Sequence, residues 1–364
     1  MDTLTTQSRT VMGNARRALA VFKRRFPSLY RRLFFENERI RYCGELLYPI
    51  QDLGIVVRDG EDWRSPFIVT VFDGLFIVTD PFTLSDQNRV FALSSDESFL
   101  LARKLALHEK DVVLDVGTGS GIQALHAATR SKYVVATDIN HKALRYARFN
   151  VALNGLDHKI EICYSDVFQH LNGARFDLIL SNPPVVPTPE GSGFFTHSDG
   201  GPLGMSVSTR VLTDGASHLK PGGRIQMLSI SFSNEQGVLL VSESMKQVYE
   251  QSTWRFDLLE LYNPPLERLI TITDRFRHVP LYPSWIGLLE SNRCKRLHYL
   301  YVHAVADSER FSLEHRVMKQ PQNRTAYCGS WEARLSRLFL AYHRNITSEL
   351  ASKRQVASAA GSTF

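Results

Sequence analysis

The sequence has few cysteines, and none of them forms a metal-binding pattern. The four cysteines are scattered along the chain, at Cys43, Cys163, Cys294 and Cys328. The absence of any C-x-x-C spacing excludes the common zinc and redox motifs, so no metal site is predicted. So sparse a set also argues against a disulfide-built secreted protein and favours a reducing compartment. We therefore expect a cytoplasmic protein, with Cys163 as a buried thiol because it lies in an apolar, strand-like run.

Long apolar runs and a large excess of one charge are absent as well. No run approaches the roughly 20 residues that span a bilayer, which predicts that the protein has no membrane partner. The chain carries 43 basic and 37 acidic residues. The resulting net charge of +6 permits an anionic partner but does not require one.

The basic excess is concentrated in the first 32 residues. One acid, Asp2, stands against eight basic residues, at Arg9, Arg16, Arg17, Lys23, Arg24, Arg25, Arg31 and Arg32. Three interpretations are open: the solvated face of a helix, a contact for nucleic acid or another anionic surface, and a targeting segment. Aromatic residues continue the pattern, at Phe22, Phe26, Tyr30, Phe34 and Phe35. They favour a packed helix over a general nucleic-acid clamp.

Sequence patterns divide the 364 residues into three regions. Residues 1–95 form an accessory α+β unit that is expected to cover the acceptor side of an active site. Residues 96–308 form the main domain, since the chain is long enough for a core of about 200 residues beside an accessory unit. Residues 309–364 form a C-terminal extension with an amphipathic helix across residues 331–350 and a disordered tail.

Strands and helices alternate through the main domain. Apolar strand runs begin at Val112, Tyr133, Ile160, Phe176, Arg224 and His298. Helical runs separate them, for example His141 to Leu153, which Asn140 caps and Gly155 ends. A second helix is predicted from Leu203 to Leu219. Repeated strand–helix units predict a parallel α/β sheet with helices on both faces. In the accessory unit, Asp73-Gly74 between two apolar runs predicts a two-residue hairpin.

A glycine-rich loop follows the first strand of the main domain. Its residues are Asp115, Gly117, Thr118, Gly119 and Gly121, and a helix follows directly. The spacing is G-x-G-x-G, whereas dinucleotide sites use G-x-G-x-x-G to make room for a pyrophosphate. An acid at Asp115 would face an amino group better than a phosphate. The loop therefore predicts S-adenosylmethionine as cofactor, a nucleoside with an amino-acid tail.

Two further acidic residues lie at positions where a carboxylate can hydrogen-bond the nucleoside part of this cofactor. Asp138, with Ile139, ends the second strand, where a carboxylate hydrogen-bonds ribose hydroxyls in nucleoside-binding folds. Asp166, with Val167, follows the third strand, where a carboxylate can accept a hydrogen bond from the adenine amino group. The plainer alternatives are that Asp138 caps the next helix and that Ser165-Asp166 is an ordinary turn.

The motif Asn182-Pro183-Pro184 follows the fourth strand and predicts the catalytic residues. The Asn182 side-chain oxygen and the Pro183 carbonyl oxygen can accept hydrogen bonds from the N–H groups of the nitrogen that is to be methylated. These hydrogen bonds direct the lone pair of that nitrogen towards the methyl group. The prolines fix φ and so set this geometry in advance. A near copy of the motif ends at Asn263-Pro-Pro. It follows a later strand, so Asn263 is predicted to be structural and Asn182 catalytic, with Asn182 also touching the cofactor.

These motifs together resemble the class I methyltransferases with a small-methyltransferase domain. Within that family the chain is most similar to the release-factor and protein glutamine N-methyltransferases, and to bacterial relatives with an N-terminal extension. The matching segments are 114–121, 136–138, 150–155, 165–166, 176–184, 188–189 and 199–201. The resemblance covers about a third of the chain. It implies a Rossmann-like, seven-stranded methyltransferase sheet that binds S-adenosylmethionine.

Val185 departs from the family pattern, in which Tyr or Phe follows Asn-Pro-Pro and stacks on a planar acceptor. A valine cannot stack, which weighs against a nucleobase and, less strongly, against a glutamine amide. We predict an N-methyltransferase whose acceptor, a protein amide or a small-molecule amine, contacts Val185 and Asn182. The alternatives are an RNA or DNA base N-methyltransferase and a catalytically silent protein that binds the cofactor or RNA.

Overall fold

A computed structural model describes residues 7–82, 84, 86–91, 96–250, 252–267, 270, 281–306 and 310–317. The predicted amphipathic helix of residues 331–350, the predicted disordered tail and Cys328 lie outside the described residues.

The N-terminal part of the chain is helical first and then forms short strands. Its elements are α1 (Arg9–Arg25), α2 (Pro27–Phe34), β1 (Ile40–Arg41), α3 (Tyr48–Gln51), β2 (Val57–Asp59), β3 (Asp62–Arg64), β4 (Ile68–Phe72) and β5 (Leu75–Thr79). Strands β1 to β3 form a small antiparallel sheet in the order β1-β3-β2. Strands β4 and β5 form the predicted hairpin, with Phe72 opposite Leu75. Asp73 and Gly74 take φ values of 47° and 79°, as a two-residue turn of this kind requires.

The rest of the described chain alternates strands with helices. Its elements are α4 (Asp96–Lys104), β6 (Val112–Val116), α5 (Ile122–Ala128), β7 (Tyr133–Asp138), α6 (His141–Asn154), β8 (Ile160–Tyr164), β9 (Phe176–Ser181), α7 (Ser206–Asp214), β10 (Leu219–Ser233), α8 (Leu240–Tyr249), β11 (Trp254–Tyr262), α9 (Tyr282–Ser291), β12 (Arg296–Ala306) and β13 (Ser312–Val317). Helix α6 begins and ends as predicted. Asn140 accepts the Lys142 N–H, and Gly155 closes the helix at φ 70°.

Strands β6 to β13 form one sheet in the order β13-β11-β12-β10-β9-β6-β7-β8. Strands β6 to β10 pair in parallel, β12 runs antiparallel to both β10 and β11, and β13 is parallel to β11. The order reverses at β6, with β7 on one side and β9 on the other. Open α/β sheets bind their ligands at such a point. This arrangement confirms the predicted Rossmann-like α/β class.

Four local predictions need correction. The sheet has eight strands rather than seven. The eighth, β13, was missed because it is a mostly exposed edge strand without an apolar run. The helix predicted from Leu203 to Leu219 covers only α7 and a short 3₁₀ turn, and β10 already begins at Leu219. Pro221-Gly222-Gly223 therefore lies inside β10 at an irregularity in its pairing with β9, rather than before the strand. Cys163 is half-buried rather than buried, because β8 is the other edge strand.

The N-terminal unit packs on α6 and shares a core with it. Phe22, Tyr30 and Phe34 are buried together with Tyr146 and Phe149 of α6. The aromatic residues of the basic segment are thus packed, as predicted. Several of its arginines are engaged in surface ion pairs, which contribute little to stability: Arg9–Asp157, Arg31–Glu36 and Arg32–Glu38.

Two asparagines of α6 form hydrogen bonds to the β4–β5 hairpin and so link it to the main domain. Asn150 and Asn154 lie one helical turn apart, and their side chains pair with the backbone of β5 as a neighbouring strand would. Asn150 accepts the Val78 N–H and donates to the Val78 carbonyl, at 2.8 and 2.9 Å. Asn154 does the same for Phe76, at 3.0 and 2.7 Å. Both asparagines are buried, so each satisfies backbone groups that would otherwise lack partners.

A membrane-spanning helix is not found among the residues that the structure describes.

Candidate active site

A cleft of about 440 Å³ opens at the carboxyl ends of β6, β7, β8 and β9. Its volume is within the usual range for a small-molecule site. Most of the predicted site residues line it: Gly117, Thr118, Gly119, Asp138, Ile139, Asp166, Val167, Asn182, Pro183, Pro184 and Val185. These residues come from four separate loops, which the strand order brings to one edge of the sheet. Asp115 and Gly121 do not line the cleft, because Asp115 is buried in β6 and Gly121 is the N-cap of α5.

The glycine loop turns sharply between β6 and α5. Gly117 and Gly119 have φ values of 72° and 57°, in the left-handed region that other residues rarely adopt. A Cβ atom at either position would meet nothing within 4 Å. Both glycines are therefore needed for the backbone conformation, and their open side leaves room for a ligand to approach the backbone closely.

Asp115 supports this loop from behind rather than facing the cleft. Its carboxylate is fully buried and accepts hydrogen bonds from the Thr118 hydroxyl, at 2.7 Å, and the Ala124 amide, at 3.0 Å. Burial raises the pKa of Asp115 to about 7, although these hydrogen bonds oppose the shift. Its other oxygen, Oδ1, is buried and has no hydrogen-bond partner among the described residues.

Asp138 connects the end of β7 to the glycine loop. One carboxylate oxygen accepts the Gly119 N–H at 2.8 Å, and the other accepts the Asn140 N–H at 2.8 Å. Burial raises the pKa of Asp138, and these backbone hydrogen bonds act in the opposite direction. A carboxylate has about four lone-pair positions, so Asp138 keeps acceptor capacity for a ligand in the cleft.

Asp166 lies at the cleft wall after β8 and pairs with a cation. The Arg210 guanidinium donates to its carboxylate at 2.7 Å. The neighbouring Val167 has a φ of 51°, which is strained for a β-branched residue. This unusual backbone turns the chain at the cleft wall, and no local sequence pattern indicated it.

The side chain of Asn182 is held in the cleft through its amide nitrogen. Its Nδ2 donates to the Ser98 hydroxyl at 3.0 Å. Its Oδ1 accepts no hydrogen bond from the residues that the structure describes. Just before it, the Ser181 hydroxyl donates to the Val116 carbonyl at 2.9 Å and ties β9 to β6. The arrangement leaves one amide oxygen free at the point where four strands end.

Asn263, in the copied motif, is placed differently. Strands β12 and β10 separate its strand, β11, from β9. At about 4.8 Å per strand, the two motifs lie roughly 14 Å apart across the sheet. The Asn263 side chain donates to Glu260 at 2.6 Å, and Arg296 donates to its backbone carbonyl at 2.7 Å. The side-chain amide of Asn263 therefore makes a structural hydrogen bond within the fold.

Sequence reasoning missed several residues of the cleft. Ser98, on α4, orients Asn182, and Tyr299, on β12, lines the wall. From the N-terminal unit, residues 87 and 89–91 reach the cleft, whereas the bulk of that unit packs on α6. Arg89 is among them, buried and with its guanidinium 4.2 Å from the Phe195 ring centre. These contacts join segments far apart in the chain, so no local spacing could have revealed them.

Comparison with known proteins gives a consistent set of similarities. The family model described as methyltransferase small domain matches residues 82–260. The chain is 33% identical to a putative protein N5-glutamine methyltransferase of Methanocaldococcus jannaschii over 147 residues, which cover 39% of this chain and 73% of that protein. It is 38% identical to the ribosomal protein uL3 glutamine methyltransferase of Bradyrhizobium diazoefficiens, over 30% of this chain and 38% of that protein.

An RNA methyltransferase is also similar. The chain is 32% identical to the ribosomal RNA small subunit methyltransferase C of Salmonella arizonae, over 44% of this chain and 42% of that protein. The chain thus spans less than half the length of this protein and of the uL3 enzyme. Among solved structures, it is similar to a tRNA methyltransferase of M. jannaschii, with a TM-score of 0.39 and 15% identity over 67% of this chain and 58% of that one.

Proposed function

Because this chain belongs to the methyltransferase small-domain family and is an S-adenosylmethionine-dependent enzyme, we propose that its cleft presents an acceptor nitrogen to the cofactor through Asn182 and Pro183. The observation that carries this proposal is the orientation of Asn182. Its amide nitrogen is bound to Ser98, and its oxygen is left for the acceptor.

The cleft fits the cofactor. The two left-handed glycines leave room beside the backbone, as a closely bound nucleoside requires. In this proposal Asp138 holds the ribose hydroxyls, Asp166 lies near the adenine amino group, and Gly117 and Gly119 contact the amino-acid tail. Ile139 and Val167 provide apolar contacts at the cleft wall. The bound cofactor supplies the methyl group from its sulfonium.

Substitution of Asp138 is expected to weaken cofactor binding. Asp138→Ala removes the proposed ribose contact and the acceptor of the Gly119 N–H. Hydrogen bonds to a charged group are worth about 1.5–3 kcal/mol, so we expect the affinity for S-adenosylmethionine to fall roughly ten- to 150-fold. Isothermal titration calorimetry measures this loss. Asp138→Asn, which keeps one acceptor oxygen for the loop, should lose less, and an affinity for Asp138→Ala within twofold of wild type would refute the assignment.

Asn182 and Pro183 act on the acceptor rather than on the cofactor in this scheme. Two carbonyl-type oxygens accept hydrogen bonds from the two N–H groups of an amide or amine nitrogen. These hydrogen bonds direct its lone pair towards the methyl group. The same oxygens stabilise the positive charge that develops on nitrogen during transfer. Pro183 and Pro184 hold both oxygens in place, because their rings restrict φ. The protein therefore lowers the barrier by positioning and electrostatics. As the N–C bond formed, the methyl group would leave the sulfonium sulfur to give S-adenosylhomocysteine, and the nitrogen would lose one N–H proton to water without a general base in this scheme.

A side-chain amide of another protein is the acceptor that we favour. Two of the similar proteins are named as glutamine methyltransferases. Glutamine has the planar NH₂ group that two acceptor oxygens fit. Val185 provides no stacking surface, but the rings of Phe91, Phe194 and Tyr299 also line the cleft. A small-molecule amine is the second candidate, because Val185 leaves the wall after the motif aliphatic. An RNA base, the substrate type in the name of the Salmonella relative, is the third.

Val185→Tyr tests the shape of the acceptor. If the acceptor is a non-planar amine, the added ring is expected to obstruct it and lower the turnover with the natural acceptor. If turnover rises on a planar amide, Val185 does not exclude planar acceptors. The similarity to glutamine methyltransferases then predicts the acceptor better than Val185 does. The turnover assay measures release of S-adenosylhomocysteine. Val185→Leu is the matched control, since it changes the volume of the side chain without adding a ring.

A transfer assay tests the proposed function directly. The enzyme is incubated with methyl-labelled S-adenosylmethionine and an extract, which is then separated into protein, RNA and small-molecule fractions. We expect the label in the protein fraction. Label confined to RNA would move the acceptor to a nucleobase, and label in small molecules would favour the amine. A folded, cofactor-binding enzyme that labels no fraction would support the silent binding protein instead.

A further inference from the structure

A second cluster of titratable side chains lies on the strands at the far end of the sheet from the glycine loop. Glu260 on β11, His298 on β12 and His315 on β13 point their side chains together. Glu260 Oε2 lies 2.8 Å from His298 Nδ1 and 3.0 Å from His315 Nε2. The three potential ligand atoms all lie within 4.8 Å of one another. The methyl-transfer scheme uses none of these residues.

We propose that Glu260, His298 and His315 bind a divalent transition-metal ion of the Zn²⁺ type. Two imidazoles and one carboxylate are a common ligand set for such ions, with a further position left for water or another ligand. Because the ligands come from three neighbouring strands, the ion would link the edge strand β13 to the body of the sheet. The site is a stabilising one and is independent of the methyl-transfer chemistry.

The surroundings of the cluster fit a metal site. His298 Nε2 lies 2.7 Å from the Ser233 hydroxyl, so the ring nitrogen that faces away from the cluster has a partner that fixes the ring. Histidine ligands of metals almost always have such a partner. The side chains of Glu260 and His298 are only 4% and 6% exposed, whereas that of His315 is 29% exposed and leaves a way in from solvent.

The two distances from Glu260 to the histidines need only a small adjustment to reach coordination geometry, and the two histidine nitrogens lie within 4.8 Å of each other. Ligand atoms about 2.1 Å from a tetrahedral ion are about 3.4 Å apart. The distances of 2.8 and 3.0 Å must therefore open by roughly half an ångström. His315 can make this adjustment, because it is partly exposed and its strand pairs with β11 at the edge of the sheet.

The same three strands contain a matched comparison. Asp257 on β11 lies near His303 on β12, with Nδ1 and Oδ2 3.9 Å apart. The residue of β13 that reaches Asp257 is Arg316, which donates to it at 3.1 Å. A guanidinium has no free lone pair and cannot bind a metal. His303 therefore lies in a similar acid–histidine pair that lacks the third ligand.

Zinc titration of the full chain tests the proposal. Metal-stripped, tag-free wild type is titrated with Zn²⁺ by calorimetry, beside His315→Ala and His303→Ala. His315 is chosen because its exposed side chain can be removed without opening the core. We expect wild type to bind one equivalent that His315→Ala binds at least about 100-fold more weakly, and that His303→Ala retains. Zn²⁺ should also raise the thermal midpoint of wild type by several degrees and leave that of His315→Ala unchanged.

Two outcomes would overturn this assignment. One is folded wild type that binds no Zn²⁺ at 10 µM, about the upper end of useful affinity for such a site. The other is binding that His315→Ala leaves unchanged, which would locate the ion elsewhere in the chain. In either case the cluster is a hydrogen-bonded Glu–His network.

Discussion

Asn182→Ala is expected to lower methyl transfer by about 100-fold or more while leaving the affinity for S-adenosylmethionine within about twofold of wild type. The reason is the position of the side chain. Its nitrogen is anchored on Ser98 and its oxygen has no partner among the described residues, so in the proposed scheme the substitution removes the acceptor contact, and the predicted contact of Asn182 with the cofactor is expected to add little to affinity. Turnover with the labelled fraction and calorimetry with the cofactor measure the two effects separately.

Asn263→Ala is the internal control for this experiment. It has the same local sequence, Asn-Pro-Pro, but lies beyond two intervening strands and is hydrogen-bonded to Glu260. Neither cofactor affinity nor turnover should change much. If both variants lose turnover to the same extent, the loss is caused by damage to the fold rather than by removal of the acceptor contact. If Asn182→Ala turns over its true acceptor at the wild-type rate, the proposed positioning mechanism is wrong.

The second large effect concerns stability and pH. Burial raises the pKa of Asp115 to about 7 from an ordinary value of 3.8, so the folded protein keeps a proton that the unfolded chain releases. The contribution of Asp115 to stability is therefore greatest below about pH 4 and is lost as the pH rises to about 7. A shift of about three pKa units corresponds to roughly 4 kcal/mol in the free energy of unfolding as an upper value.

Asp115→Asn isolates this contribution. The amide is neutral at every pH and can still accept hydrogen bonds from Thr118 and Ala124. Urea unfolding from pH 4 to 8 should show that wild type loses stability relative to this variant as the pH rises. Asp177→Asn is a control of opposite sign. Despite partial burial, a hydrogen bond and ion pair with Lys220 lower the pKa of Asp177, so wild type should lose stability relative to that variant as the pH falls below about 4, and this control series is therefore extended below pH 4. A pH-independent difference for Asp115→Asn would show that Asp115 has no raised pKa.

The sequence predicted those parts of the site that depend on local patterns. The glycine loop, Asp138 and Asn182 each follow a strand directly, and parallel strands bring their carboxyl ends to one edge. That rule alone is enough to place Gly119, Asp138 and Asn182 around one cleft. The hairpin turn at Asp73-Gly74 was equally local, because positive φ at two successive residues strongly favours this pair.

Contacts between distant segments could not be predicted in this way. Ser98 and Asn182 are 84 residues apart, and neither segment signals the other. Asp115 was expected to face the cleft because its spacing suits a ligand, but it lies within the buried strand β6 and its carboxylate accepts hydrogen bonds from Thr118 and Ala124. The Glu260–His298–His315 cluster has no spacing motif, because its members come from three strands whose order in the sheet differs from their order in the chain. The domain boundary at residue 95 and the predicted substrate-cap role of residues 1–95 stay predictions.

The most direct test of this account is to identify the methylated atom in the product. Product labelled by the wild-type enzyme is isolated from the active fraction and analysed by tandem mass spectrometry and acid hydrolysis. The account predicts that the methyl group is on nitrogen, and that a glutamine-amide product releases methylamine on hydrolysis. A methyl group on oxygen or carbon would contradict it. The oxygens of Asn182 and Pro183 would then have no N–H groups from which to accept hydrogen bonds.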